Sequence, residues 1–228
     1  MENVGMIQSV AEAFQQGGIW MWAILAAQIF SMAIIFERVW KLYISRDSNN
    51  TQLLKNFESD IKAGRLDTVI DRSRTLPNSA PIGRVIRAGA RAAMEMGGRE
   101  EIQAQMDEVL LQETSRLHKR TGLLAMLGNT GTLLGLLGTI IGLIHAFSSV
   151  SGSDPIEKAM LLTSGIAMAM NTTAYGLIMA IPALVAFGIL QSRANNLSED
   201  LNQAALRAFN WLSFKYESVP KRKVRTKA

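Results

Sequence analysis

Cysteine does not occur among the 228 residues, so disulfides, thiol catalysis and cysteine-ligated metal sites are excluded. Charge is missing from three long stretches. No Lys, Arg, Asp or Glu lies between Glu12 and Glu37, between Arg120 and Asp154, or between Lys158 and Arg193. A hydrocarbon core about 30 Å thick is crossed by roughly 20 apolar residues at 1.5 Å each, and all three gaps meet that requirement. The chain therefore reads as an all-α integral membrane protein with three transmembrane helices. The second and third gaps would each make roughly 50 Å of helix, which outlasts the bilayer and predicts long helical extensions into water. Catalytic signatures are missing as well: there is no Walker loop, no HExxH, no nucleophile elbow and no pair of carboxylates within a span. The chain is expected not to be an enzyme and to hold neither cofactor nor metal.

What charge there is sets the orientation. Residues 1–37 contain no Lys or Arg, whereas 38–120 and the tail beyond 193 are dense in them. The segment joining spans two and three carries Lys158 against Asp154 and Glu157. The positive-inside rule then places the N-terminus outside and the middle domain and C-terminus in the cytoplasm. Anionic lipid head groups, or plain solvation, account for the run Lys221, Arg222, Lys223, Arg225, Lys227 more simply than nucleic acid does.

These boundaries divide the chain as follows. Residues 1–18 form an outer-side amphipathic helix with Val4, Ile7, Val10, Ala11 and Phe14 on one face. Transmembrane helix one covers 19–43, with Trp20 and Trp22 at one end and Trp40 and Tyr43 at the other, as membrane–water interfaces favour. It lacks a basic leader and a small-residue cleavage site, so it reads as a retained span and not as a signal peptide. Residues 44–120 form a cytoplasmic helical domain, broken most clearly at Leu76-Pro77-Asn78-Ser79-Ala80-Pro81. Transmembrane helix two covers 121–150, an outer loop 151–157, and transmembrane helix three 158–192. A cytoplasmic helical extension and basic tail occupy 193–228. No breaker separates the soluble part from span two, so one helix is expected from about Glu100 to Val150.

Span two carries Gly128, Gly131, Gly135, Gly138 and Gly142, spaced 3, 4, 3, 4. That rhythm keeps all five on one helical stripe. In water each glycine would cost roughly 1 kcal/mol of helix propensity, but in a bilayer the backbone must stay helical and small residues let helices approach. Span three repeats the device with Ala169, Thr173, Gly176, Ala180 and Ala183, and contains Pro182, which can bend it. Neither span holds an ionisable carboxylate or amine, the usual carriers of an intramembrane proton or ion site. Thr139 and Thr173 offer hydroxyls that could order water or touch a dehydrated cation, or could simply bond their own helix carbonyls. Asn171, Thr172 and Thr173 are consecutive and so face three directions. His145, near the outer end of span two, has no carboxylate at helical spacing and reads as an interfacial histidine bonding water or a carbonyl.

The stretch Leu134-Gly135-Leu136-Leu137-Gly138-Thr139-Ile140-Ile141-Gly142-Leu143-Ile144-His145-Ala146-Phe147 resembles the second-span motif of ExbB and TolQ proteins. Gly165-Ile166-Ala167, followed by Thr173-Ala174-Tyr175-Gly176-Leu177-Ile178-Met179-Ala180-Ile181-Pro182-Ala183, resembles their third-span motif. The chain is thus identified as similar to the ExbB/TolQ branch of the MotA/TolQ/ExbB proton channel family, whose flagellar stator members have four spans instead of three. The resemblance implies a homopentamer around a central pore in the bacterial inner membrane, with Gly128, Gly131, Gly135, Gly138, Gly142, Gly176 and Ala180 packing helices at the pore wall. It implies an ExbD/TolR-like single-span partner inside the pore whose Asp carries the proton, and a TonB-like or TolA-like transducer beyond it. Thr139 and Thr173 align with the family's pore threonines, and Thr172 and Asn171 lie beside them. The implied role is a pore-forming, stator-like subunit of a motor driven by proton motive force, energising TonB-dependent import or outer-membrane maintenance. Many relatives carry a glutamate five residues before the span-three threonine; here that position is Met168. A sodium-driven motor therefore stands as an alternative; a gliding-motility motor of the same family is another, and a non-conducting membrane scaffold, in which the stripes serve assembly alone, is the competing class.

Overall fold

A computed structural model describes residues 18–44, 50–77, 79–95, 98–149 and 154–214. The expectations for the N-terminal amphipathic helix, most of the outer loop and the basic tail fall outside them. Among the described residues the protein is all-helical. The order is α1 (Gly18–Val39), a π-helical turn (Trp40–Ile44), α2 (Asn50–Lys62), α3 (Leu66–Thr75), α4 (Ile82–Glu95), α5 (Arg99–His118), α6 (Thr121–Ser149) and α7 (Pro155–Ser213). Three helical stretches are long and apolar enough to cross a membrane: Gly18–Ile44, Arg99–Ser149 and Pro155–Ser213. The described residues fall into two compact units, one from those up to 39 with those of 120–191 and one from those of 40–119 with those from 192 onward.

In the first unit α1 packs on α6, and α6 packs on α7. α1 turns Met21, Ile24, Ser31 and Ile34 inward and leaves Ile19, Trp22, Ile29, Phe30 and Phe36 exposed. An apolar face of that extent is stable against lipid and costly against water. Its end is pinned by Glu37, whose two carboxylate oxygens accept from Arg120 at 2.9 and 2.8 Å. Pro155 opens α7 at the first helical position, where a missing N–H costs nothing. Pro182 lies inside α7, and the helix is continuous through it.

The single helix expected from about Glu100 to Val150 is instead two. Lys119 leaves α5 with ψ 131 and Arg120 adopts φ 64, a left-handed conformation uncommon for a residue with a Cβ. No Gly or Pro marks the spot, so local sequence gave no sign of it; the ion pair to Glu37 is the tertiary contact that accompanies it.

The second unit buries Leu54, Phe57, Ile61, Val69, Ile82, Val85, Ile86, Ile102, Met106, Leu201 and Leu212 in one core. Asp200 of α7 caps α2 from outside, accepting from the Asn50 N–H and Nδ2 at 3.0 Å each and from Thr51 Oγ1 at 2.8 Å. Asp60 accepts from Arg65 and Arg72, both at 2.6 Å. These bonds, Arg65 first, hold its carboxyl below the ordinary aspartate value of 3.8. Buried Glu113 is neutralised by Arg84 at 2.7 Å and Arg116 at 2.6 Å. Burial, then the neighbouring Arg74, Arg91 and Arg84, lowers the pKa of Arg87, which donates to Ser73 O and Oγ.

Candidate functional site

The two small-residue stripes meet each other. Gly128, Gly131, Gly135, Gly138 and Gly142 are all buried, and each faces α7. A Cβ at Gly135 would stand 3.2 Å from Gly176 Cα, 3.3 Å from Thr172 O and 3.3 Å from Thr173 Cα. One at Gly176 would stand 2.7 Å from Gly131 O and 2.9 Å from Gly135 Cα. The helices therefore touch backbone to backbone, a separation available only where both sides lack side chains. Towards one end Gly142 meets Ala169, and Gly165 meets Ala146; towards the other Gly128 meets Leu184 and the Ala180 carbonyl. Ala180 and Ala183 are buried as the periodicity predicts. Gly165, Met179 and Leu184 complete the seam, and the small-residue pattern did not single out these three. Gly165 was detectable, since it continues the spacing from Ala169.

The hydroxyls at the seam have distinct partners. Thr173 Oγ1 donates across helices to Gly135 O at 3.1 Å. Thr172 is buried, donates to Met168 O on its own helix and lays its side chain on Gly138. Thr139, half-exposed, donates to Leu136 O at 2.5 Å. Because a carbonyl can only accept, each threonine has spent its proton, and what its oxygen still offers is lone pairs. At Thr139 and Thr173 those lone pairs suit a cation or a water proton and not an anion. Asn171 and Tyr175 are half-buried and both engaged within the chain. His145 is exposed, with Ser149 Oγ donating to its carbonyl at 2.8 Å. Met168 is half-buried and its methyl lies 3.5 Å from where a Cβ on Gly18 would stand. Among the described residues no cluster of His, Cys, Asp or Glu could hold a metal ion.

Three helices of spanning length, two of them carboxylate-free within the span and in backbone contact, define a multi-pass membrane protein. The chain belongs to the MotA/TolQ/ExbB proton channel family, whose pattern matches residues 78–203. It is similar to an ExbB-like biopolymer transport protein of Synechocystis, 30% identical over 186 residues that make up 79% of this chain and 70% of that one. It is also similar to the Tol-Pal system protein TolQ of Haemophilus influenzae, 36% identical over 95 residues, 42% of this chain and 41% of that one. These relatives put it on the ExbB/TolQ branch. Its fold is that of a chain in the structure of C. jejuni MotAB, with a TM-score of 0.59 at 15% identity over 98% of this chain and 96% of that one.

Proposed function

We propose that the chain is the pore-forming subunit of an ion-driven motor of ExbB/TolQ type in the bacterial inner membrane. It assembles as a homopentamer around an ExbD/TolR-like single-span partner, with its N-terminus periplasmic and its helical extensions and C-terminus cytoplasmic. The observation that carries this is a pairing of chemistry and its lack. α6 and α7 present acceptor oxygens at Thr139 and Thr173, yet no Asp, Glu, Lys or Arg lies between Arg120 and Asp154 or between Lys158 and Arg193. Apart from His145 near the outer end of α6, these stretches hold no group that titrates near neutral pH, so the carboxylate comes from another chain. The driven process is of the import or envelope-maintenance kind, passed on by a TonB-like or TolA-like transducer. The chain itself does no covalent chemistry and needs no cofactor.

In this reading the seam keeps each wall segment rigid while the threonine oxygens line the path, and 100 mV supplies about 2.3 kcal/mol per charge moved. Met168 in place of a glutamate favours a second reading, in which hydroxyl and amide oxygens replace part of a sodium ion's shell.

The test is the complex purified from its own membranes and placed in liposomes. A small one-span protein with an intramembrane Asp should co-purify, and proton and sodium gradients should each be tried. Thr139→Val and Thr173→Val should each abolish flux with assembly unchanged. Native flux in both variants, or no flux from the native complex under either gradient, would leave the non-conducting scaffold as the better account.

A further inference from the structure

One exposed polar side chain of α6 is unaccounted for. Asn129 lies eight residues after Thr121, roughly 12 Å along the helix, and between it and Phe147 there is no charge. Its neighbours have settled their hydroxyls on the helix itself: Thr130 donates to Met126 O at 2.8 Å, and Thr132 donates to Asn129 O at 2.7 Å. The Asn129 carboxamide is exposed, covered by neither α1 nor α7, and no group among the described residues pairs with it. It carries two N–H donors and a carbonyl acceptor. Such a group is unstable against hydrocarbon, and polar side chains within spans turn to a protein interior or to water.

Its direction is also informative. Asn129, Thr132 and Thr139 each follow a stripe glycine by one position, after Gly128, Gly131 and Gly138. They therefore share a face next to the α6–α7 seam, with Asn129 nearest the end of α6 marked by the exposed Arg120–Glu37 pair.

We propose that Asn129, with Thr132, continues the ion path from Thr139 towards that charged end of α6, its amide oxygen facing the passing cation and its N–H groups donating to the water around it. The proposal rests on the motor reading above and adds a residue to it. Its occupant is water with a cation, as opposed to a lipid chain or a second copy of the helix.

The cysteine-free chain makes the test clean. In the complex purified from its own membranes and reconstituted in liposomes, Asn129→Cys should react with a charged, water-soluble thiosulfonate about tenfold faster than Ile29→Cys, a lipid-facing control, because the reactive thiolate forms only in water. Asn129→Leu should lose about tenfold in flux with the oligomer's size unchanged, while Asn129→Ser, which keeps a polar oxygen, retains most of it. A conducting native complex whose Asn129→Cys variant stays unreactive, or whose Asn129→Leu variant conducts normally, overturns this proposal alone. A native complex that passes no ions overturns the motor reading and this proposal together.

Discussion

Gly176 and Gly188 lie on the same helix and differ only in what faces them. At Gly176 an added methyl meets backbone, Gly131 O at 2.7 Å and Gly135 Cα at 2.9 Å, and backbone cannot swing aside as a side-chain tip can. At Gly188 nothing lies within 4 Å. Gly176→Ala should therefore force α6 and α7 apart and cost about 1–3 kcal/mol, the usual range for overpacking. Gly188→Ala should cost nothing and could gain up to about 1 kcal/mol of helix propensity. Thermal melting of the two variants in detergent checks this, and matching melting temperatures would mean that the seam is not in backbone contact. The glycines were legible because their 3, 4 rhythm needs no partner to be noticed. The burial of Thr172 was not. Three polar residues in succession, Asn171 to Thr173, fix only that they diverge. The rotation that turns Thr172 onto Gly138 and Thr173 onto Gly135 is set by contacts with α6, and no spacing within α7 records it.

At the scale of elements, side-chain charge does what local propensity leaves undone. The start of α2 is capped by Asp200, 150 residues away in the sequence. α3 is tied to α2 through Asp60 and Arg72. Because the arginines hold Asp60 below 3.8, the folded protein binds fewer protons there than the unfolded chain does. That contribution to stability is whole above the ordinary aspartate pKa and is lost as pH falls through it towards the lower folded value. Asp60→Asn should therefore melt lower than the native protein at pH 7, and the gap should close in acid below about pH 4. It should also narrow with added salt, since both arginines are half-exposed. A gap unchanged by pH would assign the loss to packing instead of charge. Helix ends set by distant partners, like Asp200 on α2 or Glu37 beside the break at Arg120, leave no local mark in sequence. That is why the expected helix through 119–120 proved to be two.

The whole molecule was the most legible scale, because the bilayer imposes its constraint on composition before packing begins. Three charge-free stretches became three helices of spanning length, and no detail of the seam was needed to find them. The orientation we propose rests on the same charge map. Basic residues crowd 38–120 and are missing from 1–37. The positive-inside rule counts the basic residues close to the span ends, here Arg38 and Lys41 after the first span and Lys119 and Arg120 before the second. The absence of native cysteine lets single substitutions report this directly. Thr75→Cys, exposed at the end of α3, should be shielded from a membrane-impermeant thiol reagent in cells whose outer membrane has been opened, and react only after lysis. Asp154→Cys, exposed just before α7, should react in both. The reverse pattern would turn the protein over in the membrane. Asn129 would then lie on the periplasmic side of Thr139, and ions would meet it on entry rather than on exit.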